Sequence, residues 1–284
     1  MKWTDEAEAA IRKVPFFVRK KVRTRVESEA AARGRQKVTI SEVNATRKRF
    51  LENMSAEVKG YQLDTCFSQG ACPNMANSTG RLAERIEALL KKEDLAGFLR
   101  RTVGENIKFH HEFRITLAEC PNACSQPQIK DIGIIGACVP KITDTACTLC
   151  GACVTACRDN AVTLDETKGQ PVIDTGLCLA CGACPKACPA GTITEGRKGY
   201  RILLGGKLGR HPKLARPLDG IFSEDQVIDI VGRCIAFYKA NSKKSARFAD
   251  IYTGPKDIGL SQAWLFFLLT CLSFKLLDTS FLLP

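Results

Sequence analysis

The sequence predicts an α+β fold, and three observations carry that reading. Apolar residues recur at helical spacing in its first and last thirds, and stretches of alternating or continuous apolar character between them read as strands. Thirteen of the fifteen cysteines fall from Cys66 to Cys188, in the same region as the strands, and all but Cys138 of these group in fours. A length of 284 residues allows one large domain or two to three small ones. A composition of 45% hydrophobic and 25% charged residues is ordinary for a globular chain.

Residues 4–34 read as helix, with Asp5, Glu6 and Glu8 at the N-terminal end. Pro15 divides the stretch into a short helix and a longer one, on which Phe17, Val18, Val22 and Val26 share a face and which Gly34 closes. Ser41 is the expected N-cap of a third helix. Farther on, Leu82, Ile86, Leu89 and Leu90 mark an amphipathic helix. Phe109, His111, Phe113 and Ile115 alternate with polar residues as in a strand, and IKDIGIIGACV forms another, in which Gly133 and Gly136 allow close backbone approach. YRILLGG is a strand broken at Gly205 and Gly206; Ser223 caps a helix that turns Val227, Ile230, Val231 and Ile235 inward.

The net charge of +12 is uneven: residues 1–60 hold 15 Lys and Arg against 8 Asp and Glu. Arg19, Lys20, Arg23 and Arg25 give this module a basic outer face, suited to solvent, an acidic redox partner or an acidic tetrapyrrole. No nucleic-acid motif is present and aromatic residues make up 7%, so no nucleic-acid partner is expected. The opening residues lack the apolar core of a secretory signal, and the cysteines are spaced for ligation rather than disulfides. A reducing, cytoplasmic setting is therefore expected.

The cysteines form three sets of four. Cys147, Cys150, Cys153 and Cys157 follow C-x2-C-x2-C-x3-C, and Cys178, Cys181, Cys184 and Cys188 repeat it 31 residues later. A short loop of this spacing can cap three corners of a [4Fe–4S] cube, with Gly151, Ala152, Gly182 and Ala183 permitting the tight turns. Eight cysteines in this pattern exceed what tetrahedral zinc needs. The third set is split: Cys66 and Cys72 as C-x5-C, then Cys120 and Cys124 as C-x3-C.

The paired runs resemble bacterial two-cluster ferredoxins, which implies that the fourth cysteine of each run serves the other cluster. One cluster would use Cys147, Cys150, Cys153 and Cys188, the other Cys178, Cys181, Cys184 and Cys157. Arg158 replaces the proline expected after the first run, while Pro189 keeps it. The split set, with RITLAECPNACSQPQIKDIGIIGA and YRILLGGKLGRHPKLA, resembles the second half of sulfite and nitrite reductases. That resemblance implies a third [4Fe–4S] cluster coupled to sirohaem through Cys124, with Pro121 and Asn122 against the macrocycle. The inserted ferredoxin is similar to the arrangement in dissimilatory and anaerobic sulfite reductases. VPFFVR and its surroundings resemble a small module at the C-terminus of light-independent protochlorophyllide reductase, a hint at tetrapyrrole chemistry.

The expected domains are thus a basic helical module (1–52), a sirohaem-reductase half-domain (58–140 and 197–250), a two-cluster ferredoxin insert (141–196) and an apolar tail (251–284). The family's first half, which supplies most substrate-binding cations, has no room in this chain. A partner subunit, a homodimer or the residues Arg114, Lys207, Arg210 and Lys213 would have to complete the pocket, with Lys207 and Arg210 the leading candidates for contacts to oxyanion or carboxylate. The expected function is an iron–sulfur oxidoreductase resembling sulfite or nitrite reductase, fed by an electron donor protein. The alternative is a haem-free electron-transfer subunit serving a partner reductase, and a third reading is a tetrapyrrole-binding factor. Cys138, Cys234, Cys271 and the three histidines lack ligand spacing. The tail's uncharged run, 258–274, suits packing against the body or a partner better than a membrane.

Overall fold

The computed structural model describes residues 1–260 apart from 68–69, 106 and 244. The N-terminal module begins with α1 (Asp5–Arg12) and α2 (Phe16–Ala32), separated at Pro15, whose missing N–H and fixed φ stop one helix and start the next. Gly34 ends α2 in the left-handed region at φ 69°. The third helix, α3 (Ile40–Glu57), is capped by Thr39 and not by Ser41. The Thr39 hydroxyl accepts from the Ser41 amide while the Glu42 carboxylate accepts from the Thr39 amide, so the Thr-x-x-Glu pair outcompetes the serine. Short strands β1 (Lys2–Trp3) and β2 (Lys37–Val38) pair in parallel beside a small core of Ala7, Val26, Ala30 and Val38.

Part of the expected basic face is engaged in internal pairing. Arg23 bonds Glu8 at 2.6 Å and lies 4.5 Å from the centre of the Trp3 ring. Arg25 and Arg49 both pair with Glu29, and Thr46 donates to it at 2.8 Å. These donors, Arg49 first, hold the Glu29 carboxyl down at about 2.

The body is built on a five-stranded sheet in the order β3-β4-β5-β8-β9: β3 (Tyr61–Asp64), β4 (Phe113–Ala118), β5 (Ile132–Ile142), β8 (Ile193–Leu204) and β9 (Arg216–Pro217). β3, β4 and β5 are parallel, β8 runs antiparallel to β5, and β9 runs antiparallel to β8. The expected strand at 109–116 begins later, because Phe109–His111 make a 3-10 turn in which the His111 ring accepts from the Lys108 amide. Glu112 then turns inward to accept from the Lys59 amide at 3.1 Å.

Helices α4 (Gly80–Lys92), α5 (Leu95–Val103) and α8 (Glu224–Asn241) cover one face of the sheet. Leu82, Ile86 and Leu90 recur every fourth residue and meet Ile115, Leu117, Ile132, Ile134, Ile202 and Leu204 of the strands. Phe113 adds edge and tilted ring contacts to Phe248, on the short helix α9 (Phe248–Ile251), and to Tyr238. Ser223 caps α8, and Cys234 sits wholly inside this core, as its helical position predicts.

β5 and β8 continue past the sheet as a two-stranded ribbon, from Ile132 opposite Leu204 to Ile142 opposite Ile193, with a bulge between Cys138 and Pro140. At its end lie two short helices, α6 (Ala152–Ala156) and α7 (Ala183–Ala187), and a hairpin of β6 (Val162–Asp165) with β7 (Gln170–Ile173). Among the described residues no helix is long and apolar enough to cross a membrane. The expectations for the tail from residue 261 onward, including Cys271, fall outside the described residues.

Glu29→Gln is expected to destabilise the chain at neutral pH by about 1–2 kcal/mol, the worth of one charge-assisted hydrogen bond, in urea unfolding followed by circular dichroism. Because the Glu29 carboxyl is lowered from 4.5 to about 2, the difference from wild type is complete above about pH 4.5 and disappears as pH falls through about 2.

Candidate metal centres

The eight cysteines of the insert converge in two groups that exchange their last member. One pocket is lined by Cys147, Cys150, Cys153 and Cys188; the other by Cys157, Cys178, Cys181 and Cys184. The two loops are copies of one conformation. Leu149 and Ala180 both have φ 53°, and Gly151 and Gly182 follow at 74° and 73°. That left-handed turn sends the chain around each pocket and starts α6 and α7 on the far side.

Backbone amides point at the sulfurs. Leu149 N–H lies 3.4 Å from Cys147 Sγ, Ala180 N–H 3.4 Å from Cys178 Sγ, Ala161 N–H 3.2 Å from Cys157 Sγ and Ile193 N–H 3.4 Å from Cys188 Sγ. Amide contacts at Ala152 hold the exposed Cys150 thiol below its ordinary value, and those at Ile193 do the same for Cys188. Burial pushes Cys153 up, and pushes Cys184 to about 12, helped there by Cys178, Cys181 and Cys157. Four such sulfurs cannot ionise side by side without a cationic partner. Amide dipoles aimed at them, around a pocket, are what an iron–sulfur cluster takes. Among the described residues no three Cys, His, Asp or Glu side chains close round one point as a single metal ion requires.

The split set forms at the ends of β3 and β4. Parallel pairing of Leu63 with Ile115 and of Asp64 with Thr116 brings Cys66 alongside Cys120, whose thiol is raised by burial and by the neighbouring Cys72, Cys66 and Cys124. Glu119 N–H lies 3.3 Å from Cys66 Sγ. Cys66, Cys72 and Cys120 are half-buried, whereas Cys124 is exposed and receives a 3.0 Å hydrogen bond from Asn122 Nδ2.

Three residues that the motif reading passed over tie these groups together. The Glu119 carboxylate, 1% exposed, accepts from the amides of Gly70 and Thr79 and so clamps the Cys66–Cys72 loop. A carboxylate directly before a cysteine loop is the signal that could have found it. Lys186 on α7 donates to the carbonyls of Pro73 at 3.0 Å and Met75 at 2.6 Å, joining the Cys178 group to the Cys72 loop. Cys138, fully buried, donates its amide to the Ala180 carbonyl at 2.7 Å and bridges Cys181 along the backbone. Gly136, two residues earlier on β5, lets the Asn77 and Glu119 backbone pass close by, since a Cβ there would lie 2.6 Å from the Asn77 carbonyl.

The candidate cations are less available than the sequence suggests. Lys207 is ion-paired with Asp250, and Lys213 donates to the carbonyls of Ala249 at 3.0 Å and Tyr252 at 3.2 Å. Arg210 stands exposed on the hairpin that Lys207 and Lys213 close, beside Leu208 and Leu214 at 54% and 69% exposure. The base of that hairpin bonds the loop following Cys124, through Gly206 N–H to Lys130 and Ala215 N–H to Gln128. Arg114 Nη2 reaches the Phe109 carbonyl at 3.5 Å. His110 and His111 lie with ring centres 4.2 Å apart, both lowered chiefly by burial, away from any cysteine set.

Residues 3–47 match the family model described as the proto-chlorophyllide reductase 57 kD subunit. There the chain is 55% identical over 40 residues to one subunit of the light-independent protochlorophyllide reductase of Pelodictyon phaeoclathratiforme, covering 14% of this chain and 8% of that one. The remainder is 31% identical over 180 residues to the coenzyme F420-dependent sulfite reductase of Methanocaldococcus jannaschii, covering 62% of this chain and 27% of the relative. It is 28% identical over 127 residues to one subunit of the anaerobic sulfite reductase of Salmonella typhimurium, covering 43% of this chain and 36% of the relative. The chain therefore spans about a third or less of the curated relatives it matches. Residues 61–253, more than half of the chain, match the model of the nitrite and sulphite reductase 4Fe-4S domain, and the protein belongs to that family.

Proposed function

We propose that this chain is the electron-carrying, sirohaem-bearing half of a sulfite or nitrite reductase-type oxidoreductase, with residues 141–196 as a two-cluster ferredoxin insert. The observation that supports it most is the sorting of the insert's cysteines into two crossed groups, one of them tied by Lys186 to the loop of the split set. In this reading the three cysteine sets hold three [4Fe–4S] clusters, which supply one-electron storage, and sirohaem at Cys124 supplies an iron at which an oxyanion is reduced.

The chain's own residues then have separate tasks. Amides at Leu149, Ala161, Ala180 and Ile193 offset thiolate charge in the insert, and Asn122 fixes the direction of the Cys124 sulfur. Cys124 suits a bridging role because it is the exposed member of its set. Lys186 keeps the Cys178 group against the Cys72 loop, so electron passage between them is over a fixed gap. Leu208, Leu214 and Arg210 offer apolar and cationic contacts to a macrocycle with carboxylates. A partner subunit or second copy supplies the remaining cations.

A second reading, a haem-free electron-transfer subunit, is favoured by one observation: Lys207 and Lys213 are already occupied by Asp250 and by backbone carbonyls. Pigment extraction from oxygen-free preparations, made in a host that produces sirohaem, separates the two. One sirohaem per chain supports the first reading, and clusters without tetrapyrrole support the second. About twelve iron atoms per chain are expected in either case.

Cys124→Ser is expected to remove the electronic coupling between haem and cluster, seen in Mössbauer and electron paramagnetic resonance spectra, while the signals of the insert's clusters persist. Lys186→Met is expected to retain iron but weaken the magnetic interaction between the insert and the split-set cluster. Lys186→Arg restores it if the tie to Pro73 and Met75 is the cause.

A further inference from the structure

The insert's internal repeat is occupied on one side and open on the other. A shift of 31 residues carries Leu149 onto Ala180, Cys150 onto Cys181, Gly151 onto Gly182 and Thr155 onto Lys186. The φ angles at the first and third of these pairs agree within a degree. Their surroundings do not. Ala180 is 6% exposed, its carbonyl bonded by Cys138 N–H, and a Cβ on Gly182 would lie 3.2 Å from the Cβ of Cys138 and 4.0 Å from the Cα of Ala76. At the equivalent place in the first copy, Leu149 is 41% exposed, Cys150 is exposed, and a Cβ on Gly151 would meet nothing within 4 Å. Val154, beside Thr155 on α6, adds 38% exposure.

The second copy thus uses this face to meet the body of its own chain, through a strand backbone that passes close to a cysteine. The first copy presents the same backbone shape to solvent, rimmed by apolar side chains. We propose that the Leu149–Cys150–Val154 face is the docking surface for a small one-electron carrier protein. That carrier lays an apolar rim and a backbone segment there, as β5 does at Ala180. The proposal rests on the reading that the Cys147 group holds a cluster. The carrier gives up one electron and is oxidised, the cysteine-held centre is reduced, and no bond or proton changes place. A transient electron-transfer complex needs only a small contact. Because the rim is apolar, binding should change little with salt, in contrast to a charge-steered complex.

The test uses the full chain with its clusters, and two reductants: a reduced two-cluster bacterial ferredoxin and reduced methyl viologen. Cluster bleaching is followed by stopped flow, and ferredoxin affinity is measured separately by calorimetry. Val154→Lys and Thr155→Glu place opposite charges on the face. Both are expected to slow reduction by ferredoxin and weaken its binding about tenfold. Iron content and reduction by viologen should stay within twofold of wild type, and Val172→Lys, on β7, should leave all readings unchanged. Val154→Lys and Thr155→Glu acting in opposite directions would overturn the proposal in favour of charge steering. It is also overturned if both variants behave as wild type, if Val172→Lys is equally damaging, or if wild type fails to bind ferredoxin. Loss of iron in one variant leaves the other to decide. Absence of cluster iron from the wild type would instead overturn the functional reading on which the proposal stands.

Discussion

Sulfur anions repel one another, and the arrangement of this chain follows from having to gather them. Left as thiols, Cys153 and Cys184 are forced toward the neutral form by burial, and Cys120 by burial and its neighbours. The fold answers with amide dipoles at short range and with pockets that admit a cationic inorganic core. The sheet contributes little chemistry itself. Its parallel β3–β4 pair brings two distant cysteine loops to one end, and the Glu119 carboxylate holds one of those loops from beneath.

What was legible in the sequence was local. Ligand loops of three or four residues carry their own geometry, so the three cysteine groups and the exchange of Cys157 and Cys188 followed from spacing and from the two-cluster ferredoxin pattern. Helical faces on α4 and α8 were equally clear, because a period of four needs no distant information. The cap of α3 shows the resolution of such reading: Thr39 and Ser41 are both good caps, and Glu42 decides between them.

What was not legible depends on residues far apart in the chain. Lys186 finds Met75 across 111 positions, and Glu119 finds Gly70 across 49. Lys207 looked like a free cation until Asp250, 43 residues later, was placed beside it. The basic outer face of the first module, open in the sequence to solvent, an acidic partner or a tetrapyrrole, is likewise partly engaged, since Arg23 pairs with Glu8 and Arg25 with Glu29. Charge can be counted from composition. Its availability depends on tertiary structure.

The ribbon of β5 and β8 has a mechanical consequence. Each of its strands belongs at one end to the central sheet and at the other to the cysteine-bearing insert, with pairing unbroken except at the bulge between Cys138 and Pro140. A tethered carrier that swings between donor and acceptor needs a pliable linker, and this insert is attached by a stiff beam and pinned by Lys186. With clusters in the insert, as proposed, charge would move through it by hopping between stationary stops, at a speed governed by tunnelling gaps rather than by domain motion.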